Sequence, residues 1–201
     1  MKKKIIKSIV TALAYVAVVY PLWIHFSNIR WNLESNLFFN IFPALGLAAF
    51  TILWLHVISG VFEPWLRRYI NFDQYVQNTS SLVFVLIVLH PLLLFAGLDF
   101  SFSKLFTYGD PKYVRLGVVG WLLLITYDIG KYLRKYYFFG RNWNNILLIS
   151  TIGILLIFFH SLALGSDLQS GTLRTVWIFY GITAISATIY TYGIKRFLRQ
   201  A

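Results

Sequence analysis

The sequence predicts an all-α membrane protein, a bundle of six transmembrane helices with both termini in the cytoplasm. Three observations predict it. The chain is 58% hydrophobic, 19% aromatic and only 12% charged, with mean hydropathy +0.67, more apolar surface than a soluble domain of this size can hide. Six apolar runs, about 8–26, 38–62, 79–98, 114–133, 145–164 and 173–194, are each long enough to cross a bilayer at ~1.5 Å per residue. The third observation is where the basic residues fall. Lys2, Lys3, Lys4, Lys7, Arg67, Arg68, Lys131, Arg134, Lys135, Arg141, Lys195, Arg196 and Arg199 lie on one side of the crossings. Arg30, Lys104, Lys112, Arg115 and Arg174 lie on the other, a split of 13 against 5. The positive-inside rule assigns the richer side, with both ends, to the cytoplasm of a multi-pass plasma-membrane protein.

The composition also excludes. With no cysteine there is no disulfide, iron–sulfur cluster, thiolate metal site or covalent haem attachment. The net charge of +11 gathers beside apolar runs, the pattern of topology signals and lipid contact, and gives no reason to expect nucleic acid. No internal repeat, low-complexity tract or linker is visible, so residues 1–201 read as one domain.

The first run follows MKKKIIKSIV, a charged head like that of a signal peptide. No small-residue cleavage site follows and the apolar run continues to about Phe26, so an uncleaved helix is expected. Trp23, His25 and Phe26 read as residues of the membrane interface. The second run carries Pro43 in its first turns, where a missing N–H costs nothing. His56 lies about 10 Å from its cytoplasmic end at ~1.5 Å per residue. It has two readings: a polar contact joining helices, or a third ligand or path element for electrons or protons.

Before the third run, Asp73 and the Asn78/Thr79/Ser80/Ser81 group offer helix-start chemistry. The run itself carries His90, followed by Pro91, which can kink a helix. Gly109-Asp110-Pro111 marks a turn before the fourth run. That run leaves through TYDIGKYLRKYYFFG, where Asp128 and Lys131 can pair. The aromatic and basic cluster there reads as an interfacial anchor or a place for a reductase to dock.

The fifth run is the centre of the chain: GRNWNNILLISTIGILLIFFHSLALG, Gly140 to Gly165. It is uncharged after Arg141 and carries His160 near its far end. An ionisable side chain inside a span is costly and marks a functional candidate. His90 and His160, on two different helices, are the minimum needed to clamp a metal or a haem. From Asn144, His160 is about 24 Å along its helix, whereas His90 is about 16 Å from Thr79. That mismatch closes if the third helix starts near Asp73, and it otherwise keeps open a pairing of His90 with His56.

On Gly140, Arg141, Trp143, His90 and His160, the chain resembles the ferric reductase-like transmembrane domain. That family includes the haem subunit of the bacterial methionine sulfoxide reductase system and the membrane halves of NADPH oxidases. The resemblance implies six helices with an axial histidine in the third and another late in the fifth. Members with two haems carry a second histidine 13 or 14 residues before each. Here those positions are Val76, Gln77 and Leu147. The resemblance therefore implies one non-covalent b-type haem per chain, held by His90 and His160 in the outer half of the membrane, with His56 as an alternative partner. Leu86, Leu89, Phe158 and Phe159 would wall it, and Arg30, Arg115 and Arg174 would face its propionates. No dinucleotide fingerprint is present, so electrons would come from a separate flavoprotein or quinol and leave for an external partner enzyme or ferric iron. The chain would be an oxidoreductase component and no self-contained enzyme. Two other classes fit the same sequence: a non-haem scaffold or accessory subunit, and a small transporter. No acidic residue lies deep in a span and no broken helices pair, which weighs against transport.

Overall fold

The computed structural model describes residues 2–29 and 37–195, and every regular element among them is helical. Six helices are long and apolar enough to cross a membrane among those residues. They are α1 (Lys2–Asn28), α2 (Leu37–Val61), α4 (Phe72–Gly97), α6 (Pro111–Leu133), α8 (Trp143–Leu164) and α9 (Gly171–Thr188), the last extended by a π-helical stretch, Ile189–Ile194. Three short α-helices, α3 (Glu63–Leu66), α5 (Phe102–Thr107) and α7 (Tyr137–Arg141), and a 3-10 turn, Ser166–Leu168, lie between them. Arg30, Arg196 and Arg199, used above for topology or as a propionate partner, lie outside the described residues.

Helix starts are set by caps. The third span begins at Phe72, seven residues before the apolar run, because Asn71 accepts the Gln74 N–H as an N-cap. Asp73 in that first turn takes two hydrogen bonds from Arg67, at 2.7 and 2.8 Å. The polar group at 79–81 does not start the helix. Thr79, Ser80 and Ser81 return their hydroxyls to carbonyls three or four residues back, which satisfies them inside a helix. Asp110 caps α6 through the Lys112 N–H, at 2.8 Å, and Pro111 takes the first helical position. In α1 the helix runs back to Lys2, since lysine and isoleucine sustain it as readily as the apolar residues that follow.

The chain divides into two units, Met1–Phe100 and Ser101–Ala201. In the first, α2 and α4 run antiparallel: His56, late in α2, meets Thr79, early in α4, and His90, late in α4, meets Phe42, early in α2. Phe50 and Thr51, at the middle of α2, are its most buried side chains. Most of α1 is exposed on Ile5, Ile9, Leu13, Val16 and Val19, an apolar surface suited to acyl chains.

In the second unit, α6 and α8 also run antiparallel and cross at glycine. A Cβ on Gly153 would lie 2.8 Å from the Gly120 carbonyl oxygen, and one on Gly120 would lie 3.0 Å from that of Gly153. Only glycine permits so close a backbone approach. α9 backs α8. Trp177, 0% exposed, donates its indole N–H to Ser161 at 2.9 Å, and the Phe158 ring lies against Gly181.

Candidate functional site

The cap at Asn71 places His90 18 residues beyond the first residue of α4, and His160 stands 17 beyond the first residue of α8. The two histidines therefore stand at nearly equal distances along their own helices. Each histidine sits in the last third of its helix, beside the first turns of the helix before it.

In the first unit, His90 Nδ1 donates to the Phe42 carbonyl at 2.7 Å. That oxygen belongs to the α2 ladder, so it accepts both from its own helix and from the imidazole. Access needs a gap. Side chains on a helix lean toward the N-terminus, so the residue four positions on covers a carbonyl. Here that residue is Gly46. A Cβ on it would lie 2.8 Å from His90 Cε1 and 2.9 Å from Nδ1, so the imidazole fills the space a side chain would take. The Phe42 ring covers the imidazole at 5.4 Å between centroids.

The second unit repeats the arrangement. His160 Nδ1 donates to the Tyr113 carbonyl at 2.8 Å, and the residue four positions on is Gly117. A Cβ on Gly117 would lie 2.6 Å from His160 Cε1 and 2.9 Å from Cγ. In both units the same three parts recur: an early carbonyl, a glycine one turn later, and a late histidine on the antiparallel neighbour.

An imidazole that donates through Nδ1 carries its lone pair, when neutral, on Nε2. That nitrogen lies farther from the backbone than Nδ1. Metal-binding histidines are held in this way by a backbone carbonyl on the other nitrogen.

In the remaining two histidines Nε2 makes a contact between helices. The Thr79 hydroxyl donates to the Tyr75 carbonyl at 2.6 Å and accepts from His56 Nε2 at 2.5 Å. Tyr75 meets the His56 ring edge to face at 5.6 Å. This is the polar helix–helix contact that was one of the two readings of His56. His25 stands in the last turn of α1 and packs inward. It is only 4% exposed, and its Nε2 donates to the Asn40 carbonyl at 2.8 Å. It ties α1 to α2, while Trp23, two residues earlier, is the exposed one.

The surrounding candidates divide. Leu86 is half-buried, while Leu89 and Phe159 are exposed apolar surface. Phe158 packs into α9 and is 5% exposed. Arg174 donates to the Leu168 carbonyl at 2.6 Å and so closes the turn before α9, while Arg115 is exposed. At the Leu147 level, the Thr151 hydroxyl donates to the Leu147 carbonyl and meets the Tyr192 hydroxyl at 3.2 Å. Gly46 and Gly117 were not singled out from the sequence. The signal is there only in retrospect, as a glycine near the start of an apolar helix that precedes a histidine-bearing one. Comparison with protein-family models, with curated proteins and with solved structures finds no match to this chain.

Proposed function

We propose that the chain is a b-type haem protein of the plasma membrane that passes electrons outward. They would come from a cytoplasmic flavoprotein or quinol and go to an external partner enzyme or ferric iron. Both termini lie in the cytoplasm in this reading, as the 13-to-5 charge split argues. His90 and His160 would hold one haem through their imidazoles. One observation supports the reading: each of the two histidines expected as ligands donates Nδ1 to an early backbone carbonyl of the antiparallel helix beside it, over a glycine that makes room for the ring.

The donor set fits the group. Two neutral imidazoles give a low-spin iron suited to one-electron transfer, and absence of cysteine leaves the haem non-covalent. This chain's own residues orient and shield. The Phe42 and Tyr113 carbonyls fix the tautomer and raise the basicity of Nε2. Gly46 and Gly117 make the space for each ring, and the apolar helices around them keep water out.

The test is optical. The detergent-purified protein, from haem-replete cells, is expected to show a Soret band and sharp α/β bands on dithionite reduction, with close to one haem per chain by pyridine haemochrome. His90→Ala and His160→Ala should each abolish or strongly reduce haem content, and His25→Ala should retain it. A colourless wild-type protein would refute electron carriage and leave the scaffold and transporter readings. Bleaching by His56→Ala but not by His160→Ala would move the axial pair to His56 and His90.

A further inference from the structure

The two short connections that carry a one-turn helix, around α3 and α7, differ in how they handle charge. Around α3, Arg67 is bound on both sides by carboxylates, Glu63 at 2.9 Å and Asp73 at 2.7 Å. Around α7 the cations lie over rings. Arg134 stacks on Trp143 at 4.6 Å, and Lys135 lies between Tyr132 and Tyr136 at 5.6 and 5.3 Å. Arg141 reaches the Tyr137 hydroxyl at 3.4 Å. No aspartate or glutamate occurs between Asp128 and Asp167. Arg134, Lys135 and Arg141 are exposed, and so are the aromatic side chains beside them: Tyr132 is 78%, Tyr137 80% and Phe138 68% exposed.

We propose that the α7 connection is a binding surface for anionic lipid headgroups. Its place in the chain favours lipid over a soluble partner. Residues 134–142 separate the end of α6 from the start of α8, too short a tether to leave the headgroup layer. Tyrosine and tryptophan rings are favoured at that depth, with their edges in lipid and a cation resting on the exposed face. A phosphate diester then meets three cations that no carboxylate in the segment neutralises. The α3 connection, with its own carboxylates, presents no such surface. The proposal does not depend on haem.

The test uses the full chain in nanodiscs of equal parts phosphatidylcholine and phosphatidylglycerol, with retained lipid counted by native mass spectrometry after transfer to detergent. Phosphatidylglycerol should be enriched in the wild type. Each cation near a charged surface changes partitioning by roughly fivefold, so Arg134→Gln/Lys135→Gln/Arg141→Gln should abolish the enrichment. Arg134→Lys/Arg141→Lys, which keeps the charge and controls for folding, should retain it. Arg67→Gln/Arg68→Gln in the other connection should leave it unchanged. Equal retention of the two lipids by the wild type overturns the proposal, as does equal loss in both glutamine sets. Unchanged lipid in the first glutamine set, with slower reduction by a soluble flavoprotein, would assign the surface to a protein partner instead.

Discussion

The helix pairs α2/α4 and α6/α8 solve one problem with different tightness. Each brings a late histidine onto an early carbonyl by way of a glycine. At Gly46, the three atoms nearest an added Cβ are Cε1, Nδ1 and Nε2 of His90, the closest at 2.8 Å. At Gly117 the contacts extend to His160 Cγ, where the ring joins its stem. The approach is closer at Gly117, where an added Cβ would meet His160 Cε1 at 2.6 Å against 2.8 Å for His90 Cε1 at Gly46, so the second site leaves less room for its ring. Farther along, α6 and α8 are clamped at Gly120 and Gly153, while α2 and α4 are joined by the His56–Thr79 bond.

That contrast is broken most directly at the glycines. In an ordinary helix interior, glycine to alanine stabilises by about 1 kcal/mol. Here the sign should reverse. Gly117→Ala is expected to destabilise by about 1–3 kcal/mol, as overpacking does, and to lower haem content. Gly46→Ala should shift the spectrum with a smaller loss of stability. Thermal unfolding in detergent and pyridine haemochrome measure both. Equal effects would mean that the two rings are held alike.

Next in size is the polar join. His56→Ala or Thr79→Val should cost about 1 kcal/mol, the net worth of a hydrogen bond between helices, and leave the low-spin spectrum in place. A change of spin state would make His56 part of the cofactor site. The smallest effect is expected at Asn71→Ala, about 1 kcal/mol or less for a lost cap. It should loosen the start of α4 and spare α6 and α8, as amide hydrogen exchange would show.

The spans were legible because length and hydropathy are one-dimensional properties. Their ends were less so. The start of α4 was misplaced by seven residues because Asn71 lies outside the apolar run and its cap is a matter of geometry. α7 was missed because five residues carry no usable period. At the site, the histidines announced themselves as ionisable groups in apolar helices, and the glycines did not. A glycine is informative here only through the ring that occupies its missing side chain, and that ring is more than forty positions away in both units. The contact of His25 was hidden for the same reason. Its burial depends on the Asn40 carbonyl, which any residue at 40 other than asparagine would equally supply.

The use of main-chain oxygens as the second contact of His90 and His160 bears on how this protein can vary. An acceptor built from the backbone is not encoded by the side chain at its position. Phe42 and Tyr113 can be exchanged for other helix-compatible residues, and the oxygen that each ring addresses is still present. Alanine scanning would pass over both positions as inert, apart from the Phe42 ring packed on His90. The whole mutational vulnerability of each contact is displaced onto one glycine and one histidine. Drift can therefore rewrite nearly every neighbouring side chain while the orientation of the two imidazoles stays fixed.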